Sequence, residues 1–139
     1  MTPDGFALAA TIILLCLMFY FAMASLAFLL VKLEIPSVTQ LLRGLFNVHF
    51  LIVSIAGVIG TVAFAVAGRL VVAIGIGLIA AFAVWARRWF LRQMDAQLSA
   101  RDAGDANAVR RLHWGGMLCN AIQLVAMVAS IPYVFVTSA

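Results

Sequence analysis

The chain has 139 residues, of which 66% are hydrophobic and only 10% charged, with a formal net charge of +4. A water-soluble domain carries about 25% charged residues, so this composition excludes a chain that covers its whole surface with polar groups. The positive balance does not form a basic stripe of the kind that binds nucleic acid; the arginines stand at the ends of apolar runs, where membrane topology places them, and no nucleic-acid partner is expected.

Four runs are long enough to span a bilayer: 6–31, 44–67, 70–86 (continuing to about 92) and 112–136. A spanning helix needs about 20 mostly apolar residues at a rise of about 1.5 Å each. In lipid only helices and closed barrels satisfy their own backbone, and these runs lack the alternation of barrel strands. The expected fold is therefore an all-α integral membrane protein: one antiparallel bundle of four transmembrane helices with short loops, over about 6–33, 38–67, 69–100 and 107–136.

The first run carries Ala22-Met23-Ala24, which looks like a leader-cleavage site. Its flank Thr2-Pro3-Asp4 has no basic residue, and the apolar run continues past the site, so the helix is expected to be retained. Pro36 should end this helix, with Ser37 or Thr39 capping the next. On the second helix Gly57, Thr61 and Ala65 recur every four residues, as do Ala56 and Gly60. Ala73, Gly77 and Ala81 do the same on the third, across a tight Gly68-Arg69 turn. Small residues at this spacing let helices approach closely, so Gly57, Gly60, Ala73 and Gly77, with Gly116 on the fourth helix, are expected at helix contacts; the same surfaces could serve a homo-oligomer.

The third helix leaves the apolar zone through Trp85-Ala86-Arg87-Arg88-Trp89, an interfacial belt. The hydrophilic loop at 101–107 follows, with Asp105 or Asn107 as a cap, and Pro132 stands near the far end of the fourth helix. Lys32, Arg43, Arg87, Arg88, Arg92, Arg101, Arg110 and Arg111 fall on one side, and Arg69 on the other. The positive-inside rule then puts both termini outside the cytoplasm, which in a bacterial inner (cytoplasmic) membrane means the periplasm.

The fourth helix raises the functional question. His113, Gly116, Asn120, Gln123, Met127 and Ser130 share one face at 3.6 residues per turn. Imidazoles and amides are costly in hydrocarbon, so this stripe should turn toward protein. The matching face of the second helix is His49, Val53, Ala56, Gly60 and Ala63. Tyr20 and Ser25 on the first helix, Ser54 on the second and Gln123 fall at depths suited to interhelical polar contacts.

Three readings of the stripe follow. The first is helix-to-helix hydrogen bonding in an accessory or scaffold subunit that packs in the bilayer against other membrane-protein subunits. The second is a site using His49 and His113, with Asn120 beside them, for a haem b with walls from Phe19, Phe50 and Phe64 or for a transition metal. The third is soft-metal binding or transport, copper for example, with Cys16, Met18, Met23, Met117, Cys119 and Met127 as sulfur ligands. Cys16 and Cys119 both lie inside spans, so no disulfide framework is expected. No paired carboxylate lies within a span, and Walker, GxSxG and HExxH motifs are absent, so no catalytic activity is expected.

The segment Arg111-Leu112-His113-Trp114-Gly115-Gly116-Met117-Leu118-Cys119-Asn120 resembles the last helix of the transmembrane protein 205-like family. These are small four-helix membrane proteins grouped as a domain of unknown function. Their final helix typically opens with Arg-Leu-His and carries an Asn several residues on, matched here by Arg111, Leu112, His113 and Asn120. The four-helix layout and the basic loop before the last helix are also similar. The resemblance implies no settled activity, though the association of some eukaryotic relatives with platinum-drug handling would favour soft-metal transport.

Overall fold

The computed structural model describes residues 2–31, 35–99 and 106–136, and within them every regular element is a helix. These are α1 (Pro3–Leu29), α2 (Pro36–Val66), α3 (Leu70–Ser99) and α4 (Ala106–Val136), and each contains a stretch long and apolar enough to cross a membrane. Lys32 and Glu34, between α1 and α2, and Asp105, before α4, lie outside the described residues.

The helix ends differ from the sequence expectation for local reasons. α1 starts at Pro3 because Thr2 is extended and its hydroxyl accepts the Gly5 N–H at 3.2 Å, while Pro3 suits the first helical position. It ends early, with the Leu30 N–H bonded to the Ala27 carbonyl at 3.2 Å. Pro36 opens α2 rather than marking the end of α1, and neither Ser37 nor Thr39 serves as its cap. Asn107 likewise lies inside α4, and α4 runs through Pro132 to Val136.

Between α2 and α3 the chain reverses in a tight closing motif. Gly68 has φ +76°, the Gly68 N–H reaches the Ala65 carbonyl at 3.1 Å, and the Arg69 N–H reaches the Phe64 carbonyl at 2.9 Å. This is the Schellman arrangement, whose left-handed position favours glycine because it has no Cβ. The Arg69 carbonyl then accepts the Ala73 N–H at 3.0 Å and starts α3.

α2 and α3 form the closest pair. A Cβ placed on Gly57 would stand 2.8 Å from the Cβ of Ala80 and 3.3 Å from its Cα, so nothing larger than hydrogen fits without moving backbone. One turn on, a Cβ on Gly60 would meet Ile76 of α3 and both Ala10 and Leu14 of α1. Gly77 faces Thr61 across the same seam, and Ala73 is buried. The four-residue stripes do not persist, however, for Ala65 and Ala81 are exposed. The buried face of α3 runs Ala73, Ile76, Ala80, Ala83, Ala86, Phe90 and Met94, largely alternating steps of three and four. That alternation keeps one line facing the partner, whereas a strict step of four drifts round the helix.

α1 packs on α2, and α4 touches both α1 and α3, so the ring of helices closes. Its interior holds Leu14, Met18 and Phe21 of α1, Phe46, Phe50 and Phe64 of α2, and Phe90 and Met94 of α3. Two ion pairs tie the ends. Arg43 bonds Asp95 with two N–H groups, at 2.6 and 3.1 Å, joining the start of α2 to the end of α3. At the opposite end Arg69 lies 3.2 Å from Asp4.

Candidate functional site

Two habits recur among the polar side chains of the bundle. Hydroxyls on short stems turn back on their own helix: Thr11 donates to the Ala7 carbonyl, Ser54 to Phe50, Thr61 to Gly57 and Ser130 to Met127. This habit satisfies the hydroxyl locally and needs no neighbour. Ser54 therefore makes no interhelical bond, contrary to the sequence expectation.

The second habit is to reach across. His113, fully buried, donates an Nε2–H to the main-chain oxygen of Ser25 at 3.0 Å. Seven residues further along α4, Asn120 donates Nδ2–H to the main-chain oxygen of Met18 at 3.0 Å, also across to α1. Helical carbonyls can accept these bonds because each oxygen has a second lone pair beyond the one its own ladder uses. The α4 stripe thus grips α1 through the backbone of α1, and the Ser25 hydroxyl takes no part.

His49 belongs to α2 and is buried beside the same layer. Its ring lies flat on Phe21 of α1, with centroids 3.9 Å apart and planes 19° apart, and at 5.4 Å from Phe50. Neither His49 Nε2 nor Asn120 Oδ1 has a bonding partner among the described residues. Gln123 is buried one turn beyond Asn120, and both polar atoms of its amide lack a partner among the described residues.

An aromatic layer separates the two grips. The Phe46 ring is fully buried, stacked on Phe90 at 5.1 Å and on Phe50 at 5.8 Å, and edge-on to Phe21 and His113. It fills the notch at Gly116, where a methyl group would overlap it. Gly116 stands between His113 and Asn120 on the same face of α4, so Phe46 lies between their levels. A Cβ placed on Gly115 would likewise stand 3.9 Å from the Phe90 ring. Glycine at 115 and 116, opposite phenylalanines at 46 and 90, is the sequence signal that could have revealed this layer.

Two expected participants face away. Tyr20 is 69% exposed, because α1 turns Leu14, Met18, Phe21 and Ser25 inward and residue 20 falls on the opposite side. Phe19 is exposed on the same outer side, so of the three phenylalanines expected around a haem only Phe50 and Phe64 are interior.

The cofactor readings can be tested against these positions. A porphyrin between His49 and His113 would need each ring to offer a nitrogen to a shared plane. His113 Nε2 is committed to Ser25, and the face of His49 is covered by Phe21. Among the described residues no group of three or more His, Cys, Asp or Glu side chains gathers at metal-binding separation. Cys16 and Met23 are exposed, and Cys119 and Met117 are half-buried. Each imidazole keeps one ring nitrogen without a bonding partner among the described residues, Nε2 of His49 and Nδ1 of His113, and of the sulfur side chains Met18 and Met127 are buried.

No protein-family model, no curated protein and no solved structure matches the chain.

Proposed function

We propose that the chain is a non-catalytic integral membrane protein, an antiparallel four-helix bundle that serves as an accessory or scaffold subunit among other membrane proteins. The observation that carries this reading is the destination of its polar groups. The imidazole of His113 and the amide of Asn120 spend their strongest donors on the backbone of α1, which is what a helix-locking contact requires.

Contacting pairs support the antiparallel order: Gly57 with Ala80 and Gly60 with Ile76, His113 with Ser25 and Asn120 with Met18. In each set one number rises as the other falls. A bilayer is supported by the outward faces, where Ile55, Val58, Ile59, Val62, Ile74, Leu78, Ile122 and Val125 are all exposed. Apolar area on that scale is unusual on a water-facing monomer and usual against lipid or partner helices. A headgroup level at one end is supported by the exposed Trp85, Trp89 and Trp114, with Arg88, Arg92 and Arg110 nearby in sequence; by the positive-inside rule this end would face the cytoplasm of a bacterial inner membrane, with both termini periplasmic. Of the positions that resemble the transmembrane protein 205-like family, His113 and Asn120 grip α1, which is compatible with a shared bundle architecture.

Extraction into lipid nanodiscs without detergent tests the role. The expected result is a colourless, metal-free 14.9 kDa chain in discs that also carry other membrane-protein chains in fixed ratio to it; a chain alone in its disc would sink the subunit reading. A Soret band, or one equivalent of copper or iron lost in both His49→Ala and His113→Ala, would replace the scaffold reading with a cofactor protein.

A further inference from the structure

Six buried side-chain atoms have no protein partner among the described residues: Ser25 Oγ, His49 Nε2, His113 Nδ1, Asn120 Oδ1, and Oε1 and Nε2 of Gln123. They come from α1, α2 and α4 and lie on the inward faces of those helices, in residues no more than 7% exposed. Leaving one such group unpaired costs about 1–3 kcal/mol, so an unsatisfied set of this size calls for a hydrogen-bonding occupant.

The chemistry of the set narrows the occupant. Because Nε2 of neutral His113 donates to Ser25, its proton is on Nε2 and Nδ1 is a bare acceptor. Asn120 has spent an amide N–H on Met18, leaving Oδ1 as an acceptor. Gln123 offers two donors and one acceptor, and the Ser25 hydroxyl offers one donor and accepts as well. No carboxylate, lysine or arginine is among the six, so nothing balances a charged guest. The occupant must both donate and accept, must be small and must be neutral. Water meets all four demands and is held inside proteins by two to four partners of this kind.

We propose that the bundle holds internal water at two sites: one served by His113 Nδ1 and the Ser25 hydroxyl, the other by His49, Asn120 and Gln123. The Phe46 ring, seated in the Gly116 notch and stacked on Phe50 and Phe90, divides them. The deeper site lies beside Met18, a fully buried methionine whose carbonyl Asn120 already holds. The shallower site lies beside Phe28, whose ring centroid is 6.1 Å from that of His113.

X-ray radiolytic footprinting of the full chain in nanodiscs reads these sites, because hydroxyl radicals form from bound water and modify the side chain next to it. Met18 should be oxidised despite its burial, and Phe28 hydroxylated. In an Asn120→Leu, Gln123→Leu double variant, Met18 labelling should fall severalfold while Phe28 labelling persists. Ser25→Ala with His113→Phe should give the reverse. Absence of label on both Met18 and Phe28, at doses that modify exposed Trp114, would overturn the proposal, as would label unchanged by either variant. Should the variants not fold, water-edited solid-state NMR of the unaltered chain decides the matter. Transfer from water to the His113 ring and the Gln123 amide is expected, and its absence sinks the sites.

Discussion

Asn120 of α4 and Met18 of α1 are joined by a single hydrogen bond of 3.0 Å from a side-chain amide to a main-chain oxygen. The contact is buried within the bundle, away from its outer surface. Asn120→Leu keeps the volume and removes the donor, and it should lower the unfolding free energy by about 0.6–2 kcal/mol. Reversible unfolding in mixed micelles measures this; an unchanged stability would show that the bond locks nothing.

The parallel contact at His113 should show rescue. His113→Ala loses both the bond to Ser25 and the packing against Phe46 and Phe28, for a cost of about 2–4 kcal/mol. His113→Gln retains an N–H donor and should recover part of that loss. If Gln proves no better than Ala in the same unfolding assay, the hydrogen bond is not what matters at this position.

Glycines separate into tight and open positions, and alanine substitution should sort them. At Gly57 the new methyl meets the Cα and Cβ of Ala80, so the α2–α3 seam must part, at a cost of about 1–3 kcal/mol. Nothing lies within 4 Å of a Cβ at Gly75, where alanine should gain up to about 1 kcal/mol of helix propensity. The two variants should therefore shift thermal unfolding in opposite directions.

At Gly68 the obstacle is backbone conformation rather than space. A Cβ there meets nothing, yet φ is +76°. Gly68→Ala should destabilise by about 1–2 kcal/mol, whereas Gly68→Asn, which tolerates the left-handed region, should lose less.

Much of this architecture could be read from the residues, and the exceptions have physical causes. The inward face of α4 is legible because three strong hydrogen-bonding side chains and a glycine mark it against an otherwise apolar helix. α1 offers no such contrast. Its spanning stretch is apolar all round, so nothing in the pattern distinguishes inward Met18 from outward Phe19, and Tyr20 attracts notice only for its hydroxyl. The acceptors for His113 and Asn120 are main-chain oxygens, which every residue possesses and no sequence displays. Spacing by four on α2 and α3 identified Gly57, Gly60, Ala73 and Gly77 but carried the stripe too far, to Ala65 and Ala81. The Arg43–Asp95 pair joins residues 52 positions apart, a proximity that only the path of the helices creates.

The closing motif at Gly68 bears on how the chain is made. Three residues separate α2 from α3, and the bonds that shape the reversal all arise within residues 63–73. This hairpin can therefore take its final form as soon as α3 has left the ribosome, before α4 has emerged. The last helix then arrives at a finished wall and needs only to find the two oxygens of α1 to which it is fastened.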